Sequence, residues 1–289
     1  MDPGKASMTA MGTALMRATH TRLDRPPLLD DPWGDRLIPS EQREAMLESG
    51  GREALDVALR AHPSYGTVIL RARYAEDALA DAAARGVRQY VIVGAGMDSF
   101  ALRRPAFARK LEIFEVDHPA TQEFKTGRLA ECDIPLPSGL HLVAADLSET
   151  PLDAALAGSA FREDRPAFFS WLGVTPYLTR AANLATLAAI ASCGLAGSEL
   201  VFSFVEQALL DADTDDERIQ EARAQVAAVG EPWITGFDPG QLAHDLRAQG
   251  LELLDVLGPA QLEARYCAGR SDALAASPGS HVAHARVLG

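Results

Sequence analysis

The residues best equipped for chemistry in this chain are Gly94, Gly96, Asp117 and Asp146, each standing where a short β-rich run ends. In YVIVGAGMDS an apolar run enters Gly94-Ala95-Gly96, where the missing side chains let the backbone turn sharply and come close to a ligand. On its own a GxG serves an ordinary strand-to-helix turn equally well, and Ser99 stands where a full dinucleotide fingerprint has its third glycine. The next run closes on FEVD, which sets Asp117 21 residues after Gly96. An acidic residue about 20 positions on is where a ribose diol is held, since a carboxylate accepts from both hydroxyls and its charge repels a 2′-phosphate. The third run ends in Ala145-Asp146-Leu147, which puts a second acceptor at the neighbouring strand end, suited to an adenine amine. Alone, Asp146 reads as a helix N-cap and Asp117 as a turn residue; in succession they outline one nucleoside pocket.

Positioning those ends requires a sheet, and seven runs supply the strands: YVIV, LEIFEV, LHLVAA, AFFSWLG, ELVFSFV, LELLDVL and HVAHARVL. The first five are spaced for βαβ units, whereas the last two are joined more tightly and suit an antiparallel edge pair. Helical patterns fill residues 1–85, with Ser40 as an N-cap before EQREAMLESG and a long run from Tyr65 to Ala84. The expected arrangement is one domain: an N-terminal helical region (1–85), an α/β core (86–205 and 236–289) and a lid insertion (206–235). The lid begins acidic, continues as a helix and ends in the Gly/Pro/Trp loop GEPWITGFDP.

With 27 Lys plus Arg against 40 Asp plus Glu, the net charge is −13, the wrong sign for a nucleic-acid partner. A hydrophobic share of 47% supports a sizeable core. No stretch approaches the roughly 20 apolar residues of a membrane span, and the N-terminus lacks a signal peptide's long apolar core. Cys132, Cys193 and Cys267 are odd in number and widely separated, so neither a disulfide framework nor a zinc site is encoded, and a cytoplasmic location is expected. His281 and His284 stand three apart in a strand, on opposite faces, which opposes joint metal ligation. No metal is expected.

VIVGAGMDSFALRRP, FEVDHPATQEFK and ADL together resemble the leucine carboxyl methyltransferase-like family of S-adenosylmethionine-dependent methyltransferases, whose motifs take the forms GAGxDxxxxRxP and EVDxP. The likeness runs from TALMRATHTRLDRPPLLDDPW through FFSWLGVTPYLT to GEPWITGFDP and is greatest to the actinobacterial, polyketide O-methyltransferase-like branch. It implies a seven-stranded Rossmann-like class I sandwich, mostly parallel with an antiparallel edge strand, plus N-terminal helices and a helical lid. It also implies S-adenosylmethionine as cofactor. The site expected from it comprises Arg73 for the cofactor carboxylate, Gly94, Ala95 and Gly96 for the methionine part, Asp117 with His118 at the ribose, Asp146 and Leu147 at the adenine, and Trp171. Trp171, like Trp33, Phe168 and Phe169, also reads as packing. Arg103 or Arg104 is expected to brace the helix after the glycine loop. In one respect the chain departs from the pattern: where many relatives read EGxxxYL, it has Leu172-Gly173-Val174-Thr175-Pro176-Tyr177-Leu178, and Leu172 accepts no hydrogen bond through its side chain.

The activity so implied is O-methylation of a small molecule, with a carboxylic acid of secondary metabolism as the leading acceptor. An ionised carboxylate needs no general base, so alignment and desolvation supply the acceleration. Tyr177, Trp233 and Arg22 are candidate contacts for such an acid; His118 or His20 is the candidate base if the acceptor is a phenol or alcohol. Two alternatives remain at this level: a methyltransferase-like scaffold without catalysis, and a nicotinamide dehydrogenase on a related fold.

Overall fold

A computed structural model describes residues 8–41, 44–45, 50–211, 217–228 and 232–289. All seven expected runs form strands: β1 (Gln89–Val93), β2 (Glu112–Asp117), β3 (Leu140–Ala144), β4 (Ala167–Trp171), β5 (Glu199–Val205), β6 (Leu251–Leu257) and β7 (Ser280–Val287). They make one sheet in the order β3-β2-β1-β4-β5-β7-β6. β1 pairs in parallel with β2 and β4, and the parallel register continues outward to β3 and β5. β7 is antiparallel to both β5 and β6. The edge pair is therefore antiparallel, as the tight connection implies, and the reversed strand itself lies one position in from the rim.

The central strands are covered on both faces, which explains why they read as continuous apolar runs rather than alternating ones. Tyr90, Ile92, Ile113 and Phe168 pack with helix Tyr65–Ala84, while Val91, Val93, Phe114, Phe169 and Trp171 pack with helices Leu152–Ala157, Arg180–Cys193 and Leu242–Ala248. Helix 65–84 owes its length to apolar residues recurring every three or four positions. It ends where Gly86 takes a φ of 108° and the amide of Val87 donates to Ala82 O, a Schellman-type closure that redirects the chain into β1.

A third cluster places the N-terminal segment. Met11, Ala14 and Leu15 of helix Met8–Leu23 pack with Leu37, Ile38, Leu129 and Met97, the last of these lying in the turn after β1. The N-terminal helices are thus built onto the strand ends that carry the motifs. The expected helix after Ser40 and the lid fall partly outside the described residues; within the 206–235 segment, helices Gln207–Asp211 and Glu217–Ala228 are formed. Among the described residues no helix is long and apolar enough to cross a membrane.

Candidate active site

Gly94 and Gly96 have φ of 69° and 53°, a backbone region open to glycine at little cost. A side chain at Gly94 would also meet Val174, its Cβ falling 2.5 Å from that residue's Cγ2. The amides of Gly94 and Ala95 both donate to Val116 O, so the loop folds back over the end of β2. There the Asp117 carboxylate accepts from Gly96 N with one oxygen and from His118 N, at 2.7 Å, with the other. Burial raises its carboxyl above the usual value, against these hydrogen bonds. Thr121 adds a side-chain hydrogen bond, and with about four lone-pair sites the carboxylate still has capacity for a further donor.

The end of β3 joins this group. Ala145 N donates to Asp117 O, and Asp146 Oδ1 closes a turn by accepting from Ser148 N and Oγ at 2.9 and 2.6 Å. Those bonds hold the Asp146 carboxyl below the ordinary range. Its other oxygen lies 3.8 Å from His118 Nε2, while His118 Nδ1 accepts from Ala120 N and caps helix Pro119–Glu131. Leu147 packs, half-buried, against the core face that holds Val116. Gly96, Asp117, His118 and Asp146 thus converge, as the spacing implies.

The arginine expected at the cofactor carboxylate has other partners here. Arg73 donates to Leu28 O and to Asp77, one turn along its own helix. Arg71, two residues earlier and about 200° away around the helix, turns inward against Gly173, where an added Cβ would fall 2.4 Å from its Nη2. Among the described residues no carboxylate forms an ion pair with it; its electrostatic neighbours are Tyr177 and a like charge, Arg17. Desolvation pushes its pKa down to about 10.

Arg17, Asp31 and Ser99 form the bracket beside it. Asp31, fully buried, accepts from Arg17 Nε at 2.7 Å, Ser99 Oγ at 2.6 Å and Trp33 N at 3.2 Å, with Arg103 Nε 3.8 Å away. Arg17 Nη2 donates to Met97 O at 2.9 Å. Arg103 braces this region as expected, through Ser99 and Glu76. Burial acts to raise the Asp31 carboxyl, but Arg17, Arg103 and Ser99 outweigh it and the pKa lies below the ordinary one. A carboxyl lowered in the folded state contributes stability that is fully present above its unfolded value, about 3.9, and lost as pH falls through the folded one. An acid series of thermal melts should show a shallower loss below about pH 4 for Asp31→Asn than for the native chain; parallel curves would contradict the ionised assignment.

Other candidates separate clearly. Trp171 is fully buried, its ring packs on Phe202, and its Nε1 has no partner among the described residues. Its side chain is a core element, because both faces of β4 are covered. His20 is buried and holds Asp24 through Nδ1 while Nε2 accepts from Leu28 N, so it is not an available base. Arg22 is engaged by Asp35 and Asp56. Tyr177 sits half-buried in a short 3-10 turn, and Ile234 N donates to Pro176 O at 2.7 Å, which brings the Trp233 segment onto that turn. Leu172 packs against the helix 65–84 side of the core. His281 stacks on Phe204 and His284 contacts Tyr74 and Phe168, on opposite faces.

Sequence reasoning missed Arg71, Arg17 and Asp31. One signal was available: Arg71 lies on the stripe of Thr67, Val68, Ala75 and Ala78, all buried, whereas Arg73 is followed three and four residues on by Glu76 and Asp77.

The strand order and the motif-bearing strand ends define a class I methyltransferase. The sequence pattern of leucine carboxyl methyltransferases matches residues 10–191. The Bacillus subtilis protein YktD, provisionally named an S-adenosyl-L-methionine-dependent methyltransferase, is 30% identical over 302 aligned residues covering 99% of each chain. A Saccharopolyspora erythraea protein with the same provisional description is 32% identical over 212 residues, 72% of each chain. Among solved structures, a DUF574 family protein of Streptomyces avermitilis superposes with a TM-score of 0.59 over 98% of both chains, at 17% identity. A Thermobifida fusca protein, provisionally named a methyltransferase, gives 0.59 over 100% of this chain and 97% of the other, at 16% identity. These two likenesses bear on the fold alone. The chain belongs to the leucine carboxyl methyltransferase family and is an S-adenosylmethionine-dependent methyltransferase. That membership sets the nicotinamide alternative aside.

Proposed function

We propose that the enzyme methylates an oxygen of a small carboxylic acid, of the polyketide-like kind made in secondary metabolism, using the β1–β3 strand ends to hold its cofactor. The observation that carries the cofactor site is the convergence of Gly96, Asp117 and Asp146, with the half-buried Arg71 guanidinium, which has no carboxylate partner among the described residues, set against Gly173. These residues fit S-adenosylmethionine: Arg71 would take the carboxylate, the Gly94–Gly96 turn the methionine chain, Asp117 the ribose diol, and Asp146 with His118 and Leu147 the adenine. The cofactor supplies an electrophilic methyl group. What remains for the protein is to orient the acceptor oxygen in line with that methyl and exclude water.

Two observations favour an acid over a phenol or alcohol. His20 is committed to Asp24 and Leu28, and His118 caps a helix at the β2–β3 end with its free edge toward Asp146. His20 is thus occupied at both nitrogens and His118 is given to the adenine end, while a carboxylate at neutral pH has no proton to lose and needs neither. Tyr177, in the Pro176 turn, and Trp233, next to the Ile234 amide bonded to that turn, are the donors we assign to the acceptor carboxylate. The three cysteines are free thiols, in keeping with a cytoplasmic enzyme.

Calorimetric titration with S-adenosylhomocysteine tests the site. Asp117→Ala should weaken binding by about 1 to 3 kcal/mol, and unchanged affinity would remove Asp117 from it. Turnover on paired acids and alcohols, followed as methyl ester or ether by mass, tests the acceptor; methylation of hydroxyls alone would refute the acid.

A further inference from the structure

Beyond the Gly94 and Ala95 amides on Val116 O, the glycine loop is held through two carboxylates, and only one of them belongs to the motif. Its apex is tied to β2 through Gly96 N and Asp117. Its far end, Met97 to Ser99, is tied to the N-terminal segment through Arg17 on Met97 O and Asp31 on Ser99 Oγ. Asp31 is the centre of that second tie. Its backbone amide is fixed by Thr21 Oγ1 at 2.7 Å and its carboxylate gathers Arg17, Ser99 and the Trp33 amide, so helix 8–23, the 24–33 segment and the loop meet on one buried side chain.

We propose that Asp31 is a positioning residue for the cofactor: it touches no ligand, and acts by keeping Arg17 and Ser99 in place so that the Gly94–Ser99 backbone is already in its binding geometry. This rests on the assignment of that loop to the cofactor. Several groups face the carboxylate: Arg17 and Arg103 as cations, Ser99 as a donor, with Glu76 beyond Arg103. Losing the negative charge leaves two guanidiniums close together with Glu76 and Asp98, both on the Arg103 side, to balance them, and Arg17 is already near a third, Arg71. An asparagine worsens this, because its NH2 group presents donors to donors. Arg17 then leaves Met97 O, and the loop loses its far anchor while keeping Asp117. A loop that must be ordered at the moment of binding binds more weakly than one already ordered.

The test uses S-adenosylhomocysteine calorimetry on the full chain, with hydrogen exchange of the 94–99 amides in the absence of ligand, at a temperature where every variant is folded. Asp31→Asn should raise Kd by about tenfold or more and speed exchange at 97–99, while exchange in β1 and β4 is unchanged. Ser99→Ala, which removes one donor and leaves the Arg17 pair, should move both readouts the same way by less. Tyr65→Phe is the control: it deletes a 2.8 Å hydrogen bond to Asp24 in the neighbouring buried network, and should lower the melting temperature with Kd unmoved. If Asp31→Asn fails to fold, Ser99→Ala decides alone. Lower melting with native Kd and native 97–99 exchange would make Asp31 a merely structural residue and overturn the proposal. Failure of the native chain to bind S-adenosylhomocysteine would overturn the cofactor assignment and this inference together; loss of binding in Asp117→Ala with none in Asp31→Asn would overturn this inference alone.

Discussion

Arg71→Met should weaken S-adenosylhomocysteine binding by about 2 to 5 kcal/mol, the usual consequence of removing one partner of a buried charge pair, and leave the ligand-free enzyme no less stable. The two halves of that expectation have one cause. In the free protein the half-buried guanidinium is partly desolvated, its pKa pushed down to about 10, with no carboxylate among the described residues to compensate and Arg17 as a like-charged neighbour. A desolvated cation in that state opposes folding, so an apolar side chain of similar length relieves the free enzyme. Its attraction is realised only when an anion arrives. The discriminating ligand is 5′-methylthioadenosine, which keeps the adenosine and lacks the amino-acid carboxylate. Calorimetry should find its affinity nearly the same in the native and Arg71→Met proteins. Equal losses for both ligands would mean that Arg71 supports the shape of the pocket rather than a carboxylate.

That arginine also marks where sequence reasoning stops. The central strands are legible because the two covered faces of a parallel sheet demand apolar runs, and the antiparallel edge pair because its runs are closely joined; all seven runs became strands. Asp117 and Asp146 are legible because a site at strand ends is spaced by whole βαβ units: Gly96 lies one crossover before Asp117, and Ser148 is two residues on from Asp146. Arg71 and Arg73 differ in no chemical respect; only helix phase sends one inward and the other to Asp77. Asp30 and Asp31, outside any helix, are chemically alike too, yet one is exposed and the other fully buried, and the partner that distinguishes Asp31 lies 68 residues away at Ser99. Alternation fails at Trp171 for the opposite reason: every residue of β4 is buried, so no period separates a core ring from a ligand-facing one.

The second large effect expected is on stability. Lys125→Met should destabilise the fold by about 3 to 5 kcal/mol, because it strands a buried carboxylate. Glu115 of β2 and Lys125 of helix 119–131 are 2% and 3% exposed and pair directly, with Gln122 bridging the carbonyls of Glu115 and Val143 across two strands. Burial pushes the Glu115 carboxyl upward against the lysine's pull, and its Oε1 has no partner among the described residues. The pair thus fastens the helix to the sheet without being fully satisfied itself. Replacing both members with apolar residues, Glu115→Leu with Lys125→Met, removes both desolvation penalties together and should restore stability to near the native level. Urea unfolding of the two single variants and the double variant measures this through the midpoint, provided the slope stays constant. A double variant as unstable as Lys125→Met would show that the ion pair sets the helix register, and with it the distance from His118 at the helix N-terminus to Asp146. In that case the double variant's affinity for S-adenosylhomocysteine should fall as well, since its adenine end would be displaced.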